Sequence, residues 1–317
     1  MERTLAGRVL KGDRRAVARA ISLVENGEAP ANLLDEIGKS LGGAFILGLT
    51  GPPGTGKSTL VDRMISEYRK RKIKVGVIAV DPTSPITGGA LLGDRVRMLQ
   101  HALDSGVYIR SMASRGWSGG LSGAVSEAIQ ILDAAGMKLV IIETVGIGQS
   151  DVEIMKIAHA VAVVTMPGLG DDVQVSKAGL MEIGDIYLVN KSDLPGADAM
   201  VINLLSVVRE MKGKSRPVLK VSALKGEGID PAYDAVEEIR ARFLSPEGEA
   251  MRLRSTRGMI VELARRKLLS DLEGTASTRS AGLAEMVARR EITFNQAAER
   301  LADSQRRYGG APGHGER

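Results

Sequence analysis

The sequence contains no cysteine, so it can form no disulfide and offers no thiolate to a metal or a redox reaction. That fits a cytoplasmic protein. Histidine is scarce too: His101, His159 and His314 lie far apart, which argues against a zinc site. Aromatic residues make up 3% of the chain, and the stacking platforms that hold single-stranded nucleic acid need more of them. The net charge of +5 therefore reads as a spread of solvated lysines and arginines, and no nucleic-acid partner is expected. No run of about 18 apolar residues occurs, so no membrane partner is expected. The first residues, "MERTLAGRVLKGDRRAV", lack the unbroken apolar stretch of a signal peptide. What remains is a soluble globular chain of 317 residues, 44% hydrophobic, with enough apolar material for a substantial core.

Three regions differ in pattern. Residues 1–43 read as a helical N-terminal arm. Leu5, Val9, Leu10, Val17, Ile21 and Val24 recur at helical spacing over 5–24, "ENGEAP" interrupts, and Leu33, Leu34, Ile37 and Leu41 begin a second short helix. From 44 to 244, seven Val/Ile-rich runs alternate with helical segments: 44–49, 74–80, 107–112, 138–144, 160–166, 185–190 and 217–222. Near-continuous hydrophobicity marks strands buried on both faces. The alternation predicts an α/β fold, a mostly parallel sheet flanked by helices. Residues 245–317 carry no strand pattern. A long helix is expected over 246–272, then a helix, a turn and another helix over 281–305 with Thr293 as an N-cap. The Gly-rich tail from 306 is expected to be disordered.

Between the first run and the helical segment after it stands "TGPPGTGKST" (50–59). Residues 51–58 match G-x-x-x-x-G-K-[ST], and the strand before and helix after are the context this motif requires. Gly51, Gly54 and Gly56 let the backbone curl with its N–H groups turned inward around phosphate oxygens. Pro52, Pro53, Thr55 and Thr59 complete the wrap, and the helix N-terminus adds positive partial charge. Lys57 can reach the outer phosphates, and the Ser58 hydroxyl can reach Mg²⁺. The pattern predicts a nucleoside triphosphate site in a P-loop NTPase.

"NKSD" (190–193) closes the sixth apolar run and resembles the N-K-x-D guanine reader of GTP-binding proteins. Asp193 can accept from the guanine N1–H and exocyclic amine, Asn190 can bond the ring edge, and Lys191 can lie along the base. One strand later, Ser222-Ala223-Leu224 resembles the loop that supports the base. GTP is therefore expected rather than ATP. The usual D-x-x-G is missing; Glu143 stands at a strand end in "IIETVGIGQSD", followed by Gly146 and Gly148. Asp81 ends the second strand run and Asp94 follows it. Carboxylates at strand ends facing a P-loop suit Mg²⁺, which prefers oxygen ligands. Ser58, Asp81, Asp94 and Glu143 are the candidate metal set.

"DPTSPITGGALLGDRVRM", "ETVGIGQSD", "MPGLGDDVQVSKAG" and "NKSD", in this order behind "GPPGTGKST", resemble the MeaB / MMAA / ArgK family of SIMIBI-class P-loop GTPases. The resemblance extends over nearly the whole chain and is most specific in 44–193. It implies a G-protein chaperone of an adenosylcobalamin-dependent acyl-CoA mutase, chiefly methylmalonyl-CoA mutase, that hydrolyses GTP while gating cofactor delivery. It further implies that Lys57, Asp81 and Glu143 belong to the catalytic and switch machinery. Asp171 and Lys177, in the third switch loop (167–179), would couple the mutase to the nucleotide, and the C-terminal helices would make a homodimer. In "TSPIT" (83–87) the family's basic character is absent. The alternative functions are a nickel-inserting metallochaperone GTPase and an ATPase or kinase serving arginine/ornithine transport.

Overall fold

A computed structural model describes residues 4–30, 32–41, 43–81, 98, 100–101, 103–113, 124–144, 146, 156–168, 180–211 and 216–308, with backbone alone at 81, 180, 269–279 and 303–308. Two compact units are present, Met1–Met259 and Ile260–Arg317.

The first unit opens with three short helices, α1 (Leu5–Leu10), α2 (Arg14–Asn26) and α3 (Leu33–Gly38). The single helix expected over 5–24 is broken. Gly12 turns the chain at φ +71°, and Asp13 restarts it by accepting from the Arg15 and Ala16 N–H groups. Gly27, in the left-handed region, ends α2. Apolar spacing runs through the break because both helices bury one face against the same core.

The strands are β1 (Phe45–Thr50), β2 (Val75–Asp81), β3 (Val107–Ala113), β4 (Leu139–Thr144), β5 (Ala160–Thr165), β6 (Ile186–Val189) and β7 (Val218–Lys220). They form one seven-stranded sheet in the order β3-β2-β4-β1-β5-β6-β7. Every pairing is parallel; Leu47, for example, lies beside Ile141 of β4 and Ala160 of β5. All seven runs expected from hydrophobicity are strands. The connecting helices are α4 (Lys57–Lys70), α5 (Val125–Ala134), α6 (Leu180–Ile183), α7 (Ala197–Glu210) and α8 (Ile229–Leu244).

Alternate strand residues serve opposite faces, as the two-residue period of a strand demands. Ile46, Ile78, Val140, Ile142 and Val163 pack with α1–α3, α5 and α7. Leu47, Leu49, Val77, Ile141 and Val164 pack with α4 and α8. Val9, Val17, Ile21 and Ile37 are fully buried in the first cluster, so the N-terminal helices are part of the core of this unit.

A buried histidine sets an acid limit on this core. His159 stacks on Phe243 at 3.9 Å between ring centroids, and its Nδ1 accepts from the Ile46 N–H. Burial, helped by the charge of Arg254, pulls its pKa down to about 3. The unfolded chain binds this proton near pH 6.5, the folded chain only near 3. The stability conferred by the neutral ring is therefore complete above pH 6.5 and is lost as pH falls toward 3. The expected slope is about 1.4 kcal/mol per pH unit. Urea titrations from pH 7 to 4 check it: wild type should lose stability faster than His159→Gln, and parallel curves would contradict it.

In the second unit, one helix, α9 (Glu249–Ala288), arrives from the first unit and a turn leads into α10 (Phe294–Tyr308). The Thr293 hydroxyl accepts from the Gln296 N–H, and the Gln296 side chain accepts in return from the Thr293 N–H. This reciprocal pair is a capping box, and Thr293 is the N-cap expected. The helix continues through 273–280, where the sequence pattern gave no helix, and α10 runs to Tyr308, past the expected start of the tail.

Candidate nucleotide-binding site

In an open parallel sheet, ligands bind beyond the carboxyl ends of the strands where the strand order reverses. Here β1 is that strand: β2, β3 and β4 lie to one side and β5, β6 and β7 to the other. Residues 51–56 connect β1 to α4, which places the glycine-rich loop at the reversal.

Gly51 (φ +142°) and Gly56 (φ +88°) are required by their surroundings. A Cβ on Gly51 would stand 1.9 Å from the Val164 carbonyl oxygen, and one on Gly56 would stand 2.5 Å from Asn190 Nδ2. No side chain caps α4, so the amides of its first turn are left to the loop and what it encloses. Lys57 is only 6% exposed. Its ammonium donates to the carbonyl oxygens of Gly51 (2.7 Å) and Pro52 (3.1 Å). Thr55, fully buried, donates its hydroxyl to the Pro52 carbonyl and fixes the loop from within.

The Ser58 hydroxyl donates to Glu143 Oε1 at 2.6 Å, and both residues are buried. Glu143 is paired with Ala79 of β2, two residues before Asp81. Two hard oxygen donors thus meet at the head of α4, with a second carboxylate residue, Asp81, ending the neighbouring strand, a donor set that fits Mg²⁺. Asp94, Asp171 and Lys177 lie outside the described residues, and so does the side chain of Asp81.

The segments expected to receive the base lie at the end of β6 and in the loop after β7. Asn190, expected at the ring edge, is a buried bridge: its Nδ2 donates to the Thr55 carbonyl (2.7 Å) and its Oδ1 accepts from the Ala223 N–H (3.0 Å). It ties the phosphate loop to the base loop. Lys191 has φ +54°, a conformation non-glycine residues seldom take. Asp193 Oδ1 accepts from the Ser222 hydroxyl at 2.6 Å. That bond, followed by the residue's own N–H, holds its carboxyl below the usual carboxylate range, so it stays an acceptor. Leu224 is 77% exposed beside it. Arg63 of α4, which belongs to none of the sequence motifs, donates to the carbonyls of Ala223 and Leu224.

A P-loop, a strand-end carboxylate on its serine and an N-K-x-D segment beside a supporting loop define a P-loop GTPase. Residues 17–277 match the family described as "Methylmalonyl Co-A mutase-associated GTPase MeaB". The chain belongs to this family, and it is a GTPase. A relative from Pyrococcus horikoshii is 50% identical over 260 residues, 80% of this chain and 82% of that one. GTPase ArgK of Escherichia coli is 36% identical over 259 residues, 78% of each chain. The mouse protein named methylmalonic aciduria type A homolog, mitochondrial, is 33% identical over 275 residues, 78% of this chain and 65% of that one. The crystal structure titled LAO/AO transport system kinase shares the fold, with a TM-score of 0.68, 23% identity and coverage of 95% and 96%.

Asp193→Asn is expected to lower GTP affinity by about tenfold or more and to shift preference toward xanthine nucleotides, because an amide N–H replaces a charged acceptor. Competition between GTP and XTP measures it. Unchanged GTP binding would remove this segment from the site.

Proposed function

We propose that this GTPase serves an adenosylcobalamin-dependent acyl-CoA mutase, methylmalonyl-CoA mutase or a close relative, as a chaperone in cofactor loading and protection. The observation that carries the reading is the match of residues 17–277 to a family described as mutase-associated. The chain would act in the cytoplasm; no helix among the described residues is long and apolar enough to cross a membrane.

The site suits the chemistry. Residues 51–59 wrap the phosphates, with Lys57 offering its ammonium to charge that grows on the transferring group. Ser58 and Glu143 would hold Mg²⁺ together with Asp81 and Asp94. Bound there, the ion would draw charge from phosphate oxygens as a Lewis acid. Asp193 reads the base, Lys191 and Leu224 flank it, and Asn190 keeps base and phosphate loops in register. Asp171 and Lys177, in 167–179, would carry the mutase's influence to the nucleotide. A homodimer through the second unit is part of the proposal. There a groove of about 570 Å³, lined by Leu283, Val287, Ala297 and Leu301, lies beside Phe294, which is 82% exposed.

The test is steady-state GTP hydrolysis with and without an acyl-CoA mutase. Hydrolysis is expected to be slow alone and faster with the client. Methylmalonyl-, isobutyryl-, ethylmalonyl- and hydroxyisobutyryl-CoA mutases are the panel, and failure of all to alter turnover would refute the chaperone reading. ATP in competition with GTP tests the transport ATPase alternative.

A further inference from the structure

We propose that Arg63 is a positioning residue for guanine recognition, holding the loop that receives the base on the helix that receives the phosphates. The proposal rests on the assignment of residues 190–193 and 222–224 to the base.

Its ground is a closed circuit of bonds. Thr55 of the phosphate loop accepts from Asn190 through its carbonyl, and Asn190 accepts from the Ala223 N–H. Arg63 Nε donates to the Ala223 carbonyl at 2.8 Å, and Nη2 donates to the Leu224 carbonyl at 3.0 Å. Arg63 stands on α4, which begins at Lys57, so its Cα is about 9 Å along the helix from that residue. The circuit therefore closes through the helix that carries the phosphate-binding lysine. Remove Arg63 and Ala223 stays tied to Asn190, but the far side of the loop loses its hold on α4.

The loop needs such a hold. Ala223 is buried, but Leu224, Lys225, Gly226 and Glu227 are exposed, so apolar contact anchors nothing of the loop beyond Ala223. Its internal bonds, Ser222 N–H to Glu227 and Gly226 N–H to Ser222, close a turn without attaching it to anything else. Ser222 also donates the hydroxyl that aims Asp193. A displaced loop therefore moves the carboxylate that distinguishes guanine from purines lacking the 2-amino group. Two successive carbonyls suit the rigid two-nitrogen fork of arginine; the point charge of lysine can serve one of them well. Charge-assisted bonds of this kind are stronger than neutral ones.

The experiment is calorimetric binding of GDP, IDP and inorganic pyrophosphate to wild type, Arg63→Ala and Arg63→Lys. IDP lacks the 2-amino group, and pyrophosphate reports the phosphate loop alone. In Arg63→Ala, GDP affinity is expected to fall about tenfold and the GDP-to-IDP preference about threefold, with pyrophosphate affinity retained. Arg63→Lys should fall between that variant and wild type. With GTP, KM should rise more than kcat falls. Equal weakening of all three ligands would mean a merely structural residue and would overturn the proposal, as would a GDP-to-IDP preference equal to wild type. If Arg63→Ala does not fold, the ratio in Arg63→Lys decides, and a wild-type ratio there overturns the proposal. A wild type that does not distinguish GDP from IDP would instead bring down the base-site assignment beneath it.

Discussion

Lys57→Ala should lower kcat for GTP hydrolysis by about a hundredfold to a thousandfold, the loss seen when one preorganised electrostatic donor is removed from a dry site. The ammonium lies almost wholly inside the protein, held by the Gly51 and Pro52 carbonyls. Its position is thus fixed by the loop itself before phosphate competes for its protons, and the reaction need not reorganise it. A methyl group there leaves the two carbonyls without this donor and leaves growing charge on the phosphoryl oxygens without a cation. Arginine should not restore turnover, because a planar guanidinium cannot occupy the space of a compact ammonium between two carbonyls 2.7 and 3.1 Å away. Single-turnover hydrolysis at saturating GTP separates this loss from weaker binding. A variant within about tenfold of wild type would show that charge on the transferring group is stabilised elsewhere.

The sheet was legible because parallel strands covered on both faces are written as unbroken Val/Ile runs, and each run carries its own signal. The phosphate loop was legible for a similar reason: its glycines, lysine and serine lie within eight residues. What escaped the reading depends on partners remote in sequence. Asn190 meets Thr55 across 135 positions, and Arg63 meets Ala223 across 160. No local pattern announces such pairs. The motif gave Asn190 a role on the base, whereas the bonds that bury it tie two loops together. Arg63 sits among the charges of an amphipathic helix, and nothing in its neighbours distinguishes it from a solvated arginine. The break between α1 and α2 is different, since its signal was present: glycine at 12 followed by aspartate at 13 is a stop and an N-cap in succession. The continuing apolar period masked it.

Gly146→Ala should abolish turnover nearly as completely, from a residue with no functional group. Gly146 lies three residues past Glu143, at φ +82°. A Cβ built there would stand 1.6 Å from the Gly51 carbonyl oxygen, 2.7 Å from the Gly51 carbonyl carbon and 3.1 Å from Lys57 Nζ. The obstacle is main chain, so no side-chain rotation relieves it. Either the segment after β4 moves away, or Gly51 is pushed back. Gly51 has little room to retreat, since it already abuts Val164 of β5 so closely that it tolerates no Cβ of its own. The left-handed backbone adds about 1–2 kcal/mol of strain for any residue with a Cβ. Either movement shifts the carbonyl that holds Lys57, and a displacement of about 1 Å in a catalytic group can cost about a hundredfold in rate. The expected result is a folded protein with the sheet's circular dichroism, weakened nucleotide binding and hydrolysis reduced at least about a hundredfold. Turnover close to wild type would mean that the segment after β4 can leave the P-loop without consequence, and that the contact between Gly146 and Gly51 plays no part in catalysis.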